Sequence, residues 1–182
     1  MQDTALSSKA NYNTIFEDNL KSYFKVKTAC SVSNGYSSLF VILKSIKLLK
    51  SSKRDVIIPD ATMVAVENAV LDNDLNPVLV DNEKDHLNPS VEMITSKVTK
   101  DTIAIIVTHT YGVPIPQFEN LVEFCFENKI FLIEDIAEAI GVQYKGQFLG
   151  TFGHFASASL YANKLITCGD GGFIFSKLSD LD

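Results

Sequence analysis

Three short stretches of this sequence carry residue types whose spacing could do chemistry. The first, Ser33-Asn34-Gly35-Tyr36-Ser37-Ser38, stands directly before a helix-periodic apolar segment. Small residues and a glycine at a helix start present free backbone N–H groups and the positive end of the helix dipole, which suits a phosphate. The same residues also make a plain helix cap through Ser33 or Asn34. The second stretch, Glu134-Asp135, ends the apolar run 130–133. A carboxylate at the carboxyl end of a buried strand points toward the ligand crevice of an open α/β sheet, and read alone it serves equally as a helix cap or surface turn. The third is Ser159-Leu160-Tyr161-Ala162-Asn163-Lys164, followed by Gly169-Asp170-Gly171-Gly172. A lysine among apolar residues and glycines is either a reactive amine or a solvated loop charge.

The elements that must position these residues follow from hydrophobic periodicity. Ile15, Leu20, Tyr23 and Phe24 recur at near-helical spacing behind Asn13 or Thr14 as cap. A second helix is expected over 36–49, with Leu39, Leu43 and Ile46 on one face. Strands at 56–58 and 77–80 alternate with helices over 64–71 and 90–98, the latter with Pro89 near its start. The runs 103–107 and 130–133 flank a helical pattern of Phe118, Leu121, Val122, Phe124 and Cys125. Continuous apolar runs without polar alternation mark strands covered on both faces. The order predicts an α/β fold with a mostly parallel sheet and ligands at the carboxyl strand ends. Beyond Val142 a hairpin turn at Tyr144-Lys145-Gly146-Gln147 and short strands near 155–159 and 172–176 are expected.

Composition narrows the function. With 182 residues, 46% apolar and 21% charged, the chain suits one globular domain. A net charge of −6 argues against a nucleic-acid surface. No apolar run approaches the roughly 20 residues of a membrane span, and the polar stretch 1–9 lacks a signal-peptide core. Cys30, Cys125 and Cys168 form no C-x-x-C pair, which predicts a reducing, cytoplasmic setting with no disulfide framework or zinc site. His86, His109 and His154 likewise lack metal-ligand spacing. Arg54 is the only arginine, so bidentate grip on a carboxylate or phosphate has one candidate.

In register, the motifs resemble those of the DegT/DnrJ/EryC1-type sugar aminotransferases. Val32-Ser33-Asn34-Gly35-Tyr36-Ser37-Ser38-Leu39 is similar to the family's V-S-N-G-T-A-A-L loop, and Asp55-Val56-Ile57-Ile58-Pro59 to its D-E-V-I-V-P strand. His109-Thr110-Tyr111-Gly112 is similar to H-L-Y-G, and Glu134-Asp135-Ile136-Ala137-Glu138-Ala139 to E-D-A-A-E-A. The stretch Asn163-Lys164-Leu165-Ile166-Thr167-Cys168-Gly169-Asp170-Gly171-Gly172 resembles N-K-x-I-T-T-G-E-G-G, and the likeness runs over roughly 5–177. It implies the large domain of a fold type I pyridoxal-phosphate (PLP) transferase, related to aspartate aminotransferase.

The resemblance also implies roles. Lys164 would hold PLP through its amine, yield to the amino donor and then move the proton between donor Cα and cofactor. That work needs a neutral amine, which a desolvated pocket favours. Asp135 would pair with the pyridine nitrogen and keep the ring an electron sink. Glu138 matches the position near the cofactor's 3-oxygen, Gly35 and Tyr36 would offer backbone N–H groups to the phosphate, and Ser159 a hydroxyl. Tyr36 replaces the family's threonine, so only backbone donation is expected there. Met63 replaces an aromatic that stacks on the ring, a place a thioether can fill. His154 stands where relatives carry aspartate and reads as structural.

The motif forms look most like perosamine-synthase relatives, which aminate C4 of a nucleotide-linked 4-keto-6-deoxysugar with glutamate. Related 3-dehydratases carry histidine at the lysine position, so Lys164 implies transamination. The likeness places residues 1–182 as an incomplete large PLP-binding domain, with the small C-terminal one absent. This implies a homodimeric enzyme in full-length form and leaves two alternatives for the chain as given: an inactive remnant, or one half of a complemented enzyme. A nucleotide-binding α/β domain unrelated to PLP would account for the sheet but not for Lys164 with Asp135.

Overall fold

The apolar runs become the inner strands of one sheet. The computed structural model describes residues 11–50 and 52–178, so the stretch 1–9 lies outside the described residues. In chain order the strands are β1 (Thr28–Val32), β2 (Asp55–Pro59), β3 (Asn76–Val80), β4 (Thr102–Thr108), β5 (Phe131–Asp135), β6 (Gln143–Tyr144), β7 (Gln147–Phe148), β8 (Phe155–Ser159) and β9 (Gly172–Ser176). Seven of them form a sheet of order β1-β9-β8-β5-β4-β2-β3, and β6 pairs with β7 as a separate hairpin. The links β3-β2-β4-β5-β8 are all parallel. Strand β9 is antiparallel to both of its neighbours. It follows that β1 runs the same way as β8, and the carboxyl ends of six strands share one rim.

The helices are α1 (Tyr12–Phe24), α2 (Gly35–Leu49), α3 (Val64–Leu71), α4 (Val91–Ser96) and α5 (Phe118–Glu127). Side-chain alternation sorts the sheet into two faces. Val56, Ile58, Ile106 and Ile133 pack with Leu39, Ile42, Leu43 and Ile46 of α2 and with Val66 and Val70 of α3. Ile57, Ile105, Val107 and Leu132 pack with Leu20 and Phe24 of α1, Ile94 of α4 and Phe118 and Leu121 of α5. This two-sided cover is why those strands carry almost no polar residue.

Several expectations are adjusted. Helix α1 begins at Tyr12 behind Asn11, and no side chain caps it, so neither Asn13 nor Thr14 has that role. Of its expected apolar face, Leu20 and Phe24 are buried while Ile15 and Tyr23 are more than half exposed. Helix α4 is shorter than the span 90–98, because Ser90 caps it from outside and the chain turns after Ser96. Strand β1 had no sequence signal, being polar and half-exposed at the sheet edge. The hairpin turn is as expected, with Lys145 and Gly146 both left-handed, at φ 50° and φ 80°.

Candidate active site

The shared rim gathers the residues singled out by their chemistry. Met63, Asp135, Glu138 and Lys164 line one open cleft of about 460 Å³, together with Thr62, His109 and Tyr111. Asp135 arrives as the last residue of β5. Its Oδ1 accepts the Ala137 N–H at 2.9 Å, which aims the carboxyl along the cleft floor. Burial pushes this carboxyl up to about 6, against the opposing pull of the Ala137 bond and the charge of Lys164. An acid in that condition gains from any cation placed against it.

Lys164 sits in the loop between β8 and β9, a loop folded back on Leu160. Leu160 donates to Gly171 O at 2.9 Å, Cys168 donates to Leu160 O at 3.2 Å, and Lys164 N–H donates to Tyr161 O at 2.9 Å. These closures turn the Lys164 side chain into the cleft, where only 11% of it is exposed. Its Nζ meets Glu138 Oε1 at 3.5 Å. The other oxygen of Glu138 accepts the Tyr111 N–H at 2.9 Å.

The N-terminus of α2 follows β1 on the same rim. Asn34 supplies the cap, its Oδ1 accepting the Ser37 N–H at 2.8 Å. The first-turn amides of Gly35 and Tyr36 have no intrahelical acceptor, by helix geometry. A Cβ on Gly35 would lie 2.8 Å from the Ser159 Cβ, so only glycine lets the helix start touch the end of β8. Ser159 Oγ accepts the Tyr161 N–H at 3.3 Å, leaving its own proton to donate. The Tyr36 hydroxyl turns away to Asp72 Oδ2 at 2.6 Å, which keeps only the backbone of this residue for an anion. Gly35, Tyr36 and Ser159 are not among the residues that line the cleft; Gly35 and Ser159 meet each other at the same rim of the sheet.

Glu134 and Asp135, adjacent in sequence, are sent to opposite faces by the strand pleat. Glu134 is fully buried and accepts N–H groups from Gly150 at 2.6 Å, Phe152 at 2.8 Å and Gly153 at 2.6 Å. His109 Nε2 donates to it at 3.1 Å, since a carboxylate can only accept. This makes Glu134 the bolt that ties the 150–153 segment and the turn after β4 to the sheet. Sequence reasoning gave Glu134 no such role, although period-2 alternation separates it from Asp135. His154 is structural as expected: its Nδ1 accepts the Leu132 N–H at 3.0 Å and its ring stacks on Phe126 at 4.2 Å. No group of residues suited to hold a metal ion occurs among the described residues.

A mostly parallel sheet with one antiparallel strand, a lysine loop after β8, an acid closing β5 and a helix start after β1 make this the large-domain fold of a type I PLP transferase. The chain belongs to the DegT/DnrJ/EryC1/StrS aminotransferase family, whose sequence profile matches residues 1–182. GDP-perosamine synthase of Escherichia coli O157:H7 is 37% identical over 174 residues, covering 96% of this chain and 47% of that protein. The Vibrio cholerae enzyme of the same name is 36% identical over 171 residues, covering 94% and 46%. The X-ray structure of the aminotransferase from Psychrobacter cryohalolentis superposes with a TM-score of 0.86 at 26% identity, over 93% of this chain and 42% of that one. The chain therefore spans less than half the length of these relatives.

Proposed function

We propose that this chain is the large, cofactor-bearing domain of a PLP-dependent enzyme that transfers an amino group from glutamate to a nucleotide-linked 4-keto-6-deoxysugar. The observation that carries the reading is the meeting of Lys164 and Asp135 in one cleft, on the rim that also holds the capped N-terminus of α2. That donor set fits PLP: an amine for its aldehyde, a carboxyl for its ring nitrogen, and helix-start amides with the Ser159 hydroxyl for its phosphate. When bound, the cofactor supplies an electron sink for the amino-acid Cα. The protein's share is positional. Asp135 holds a proton at the ring nitrogen, and its raised affinity for protons is satisfied by a pyridinium. Lys164 would take up the proton of the donor Cα at its Nζ, and Glu138 holds the amine on that side of the cleft. Met63, 60% exposed, offers its thioether as the wall against the ring.

The nucleotide-sugar part of this reading is supported by two of the relatives named above, both called GDP-perosamine synthase, while glutamate and the 4-keto-6-deoxysugar come from the motif resemblance. The grip on glutamate and on a diphosphate is assigned to polypeptide beyond these residues or to a second subunit. The single guanidinium, Arg54, immediately precedes β2, at the sheet end opposite the cleft. The exposed Tyr111, Leu165 and Ile166, on the cleft loops, suit burial in a homodimer. No helix among the described residues is long and apolar enough to cross a membrane, and the proposed setting is the cytoplasm.

The assay combines the chain, PLP, glutamate and GDP- or dTDP-4-keto-6-deoxysugar, with and without a polypeptide supplying the rest of the family's length. Amino sugar should form only in the complemented mixture and should vanish with Lys164→Ala. A deoxygenated sugar in place of the amino sugar would move the chain to the dehydratase branch. Sustained turnover by the chain alone would overturn its reading as one part of an enzyme.

A further inference from the structure

The turn after β4 is held in a conformation that its own residues do not favour. Tyr111 is left-handed, at φ 51° and ψ 28°, and Gly112 follows at φ 78°. A bulky residue at positive φ persists only where its surroundings over-determine it. One side chain spans this turn from outside the cleft. Asn88, fully buried in the connection between β3 and α4, donates Nδ2–H to Val113 O at 2.8 Å. Its Oδ1 accepts the Thr110 N–H at 3.4 Å. Both ends of the left-handed pair are therefore tied to one amide. At the turn's start His109 is anchored by Glu134 at 3.1 Å, so the turn cannot slide as a unit.

What the turn delivers is the Tyr111 N–H, donated to Glu138 Oε2. Glu138 then has one oxygen committed, and the other faces the Lys164 amine. We infer that Asn88 is a positioning residue for Lys164, acting through the left-handed Thr110–Gly112 turn and the Glu138 carboxylate. The chain of contacts runs from the connection after β3 to the turn after β4, then to the turn after β5 and the loop after β8, the last three following strands adjacent in the sheet. Two backbone bonds close the turn, Gly112 N–H to His109 O at 2.9 Å and Val113 N–H to Thr110 O at 3.0 Å, and without Asn88 they alone oppose the strain at Tyr111. The Tyr111 N–H then leaves Glu138, and Glu138 loses the bond that aims its second oxygen. The inference rests on the reading of Lys164 as the cofactor lysine.

The test uses the whole chain, PLP as probe and borohydride to fix the adduct, with peptide mass spectrometry comparing Lys164 against the exposed Lys145. In the parent chain Lys164 should label in clear preference to Lys145. Asn88→Ala should reduce that preference at least about tenfold, the scale on which small misplacements act, while the far-ultraviolet dichroism stays native. Glu138→Ala should reduce it comparably, and the double variant should fall no further, because both act through one path. If Asn88→Ala does not fold, Asn88→Asp keeps the acceptor for Thr110 and removes the donor to Val113, and the same loss in smaller degree is expected. Preference retained in the Asn88 variants, or losses that add in the double variant, would overturn the inference. A parent chain that labels Lys164 and Lys145 alike would instead remove the cofactor reading beneath it.

Discussion

Asp135 and Glu134 show how far two neighbouring carboxylates can diverge. Asp135 ends in a cleft with one amide partner, and burial raises its carboxyl to about 6. A carboxyl whose folded value lies above its unfolded one near 3.8 binds the extra proton in the folded state. Stability then falls as pH rises from about 4 to about 6, and the full penalty is present above that window. Asp135→Asn should therefore stabilise the cofactor-free chain at pH 8, by up to about 2–3 kcal/mol, and leave it unchanged below pH 4. Thermal melts across that range give the answer, and an Asn variant less stable at pH 8 than the parent would contradict it. Glu134 is the opposite case. Glu134→Ala strands two buried amides, the part-buried amide of Phe152 and His109, and should cost about 3–5 kcal/mol in urea unfolding; a loss under about 1 kcal/mol would contradict the bolt role. The sequence made Asp135 legible, because a carboxylate closing an apolar strand has few destinations. The partners of Glu134 were not legible, since Gly150, Phe152 and Gly153 lie in a segment whose path depends on the finished fold.

Among the elements, the inner strands were readable and the edge was not. Strands β2, β4 and β5 announce themselves as Val/Ile runs because helices cover both their faces. Strand β1 carries Thr28, Cys30 and Ser31, and only its pairing with β9 makes it a strand. That pairing brings the start of α2 against β9: a Cβ on Gly172 would sit 2.6 Å from the Asn34 backbone carbonyl. Gly146, in the hairpin turn, has nothing within 4 Å but a φ of 80°. Gly172→Ala should therefore displace the helix start and weaken PLP binding at least about tenfold, through lost alignment. Gly146→Ala should cost about 1–2 kcal/mol of stability through backbone strain and leave PLP affinity unchanged. Equilibrium titration with PLP separates the two, and equal affinities for both variants would refute the placement of the α2 N-terminus at the phosphate.

For the whole molecule, composition spoke more clearly than periodicity. A lone arginine placed before β2 leaves the cleft without a guanidinium of its own, which is why substrate grip is assigned elsewhere. One source of acid sensitivity is His154, which burial and the nearby Lys50 hold down at about 4. A histidine kept neutral by the fold stabilises it fully above pH 6.5, and that contribution drains away as pH falls toward 4. His154→Asn, which carries no such titration, should flatten the loss of stability over that window in acid-unfolding curves. An unaltered slope would show that His154 titrates alike in both states.

The central claim is that Lys164 carries the cofactor, and its most direct measurement is chemical. The folded chain is incubated with PLP, reduced with borohydride and digested, and the pyridoxyl group is located by mass spectrometry. The account predicts the label on Lys164, with a matching absorbance band before reduction, and loss of both in Lys164→Ala. Equal labelling of the folded Lys164→Ala chain, or a label spread evenly over surface lysines, would contradict it.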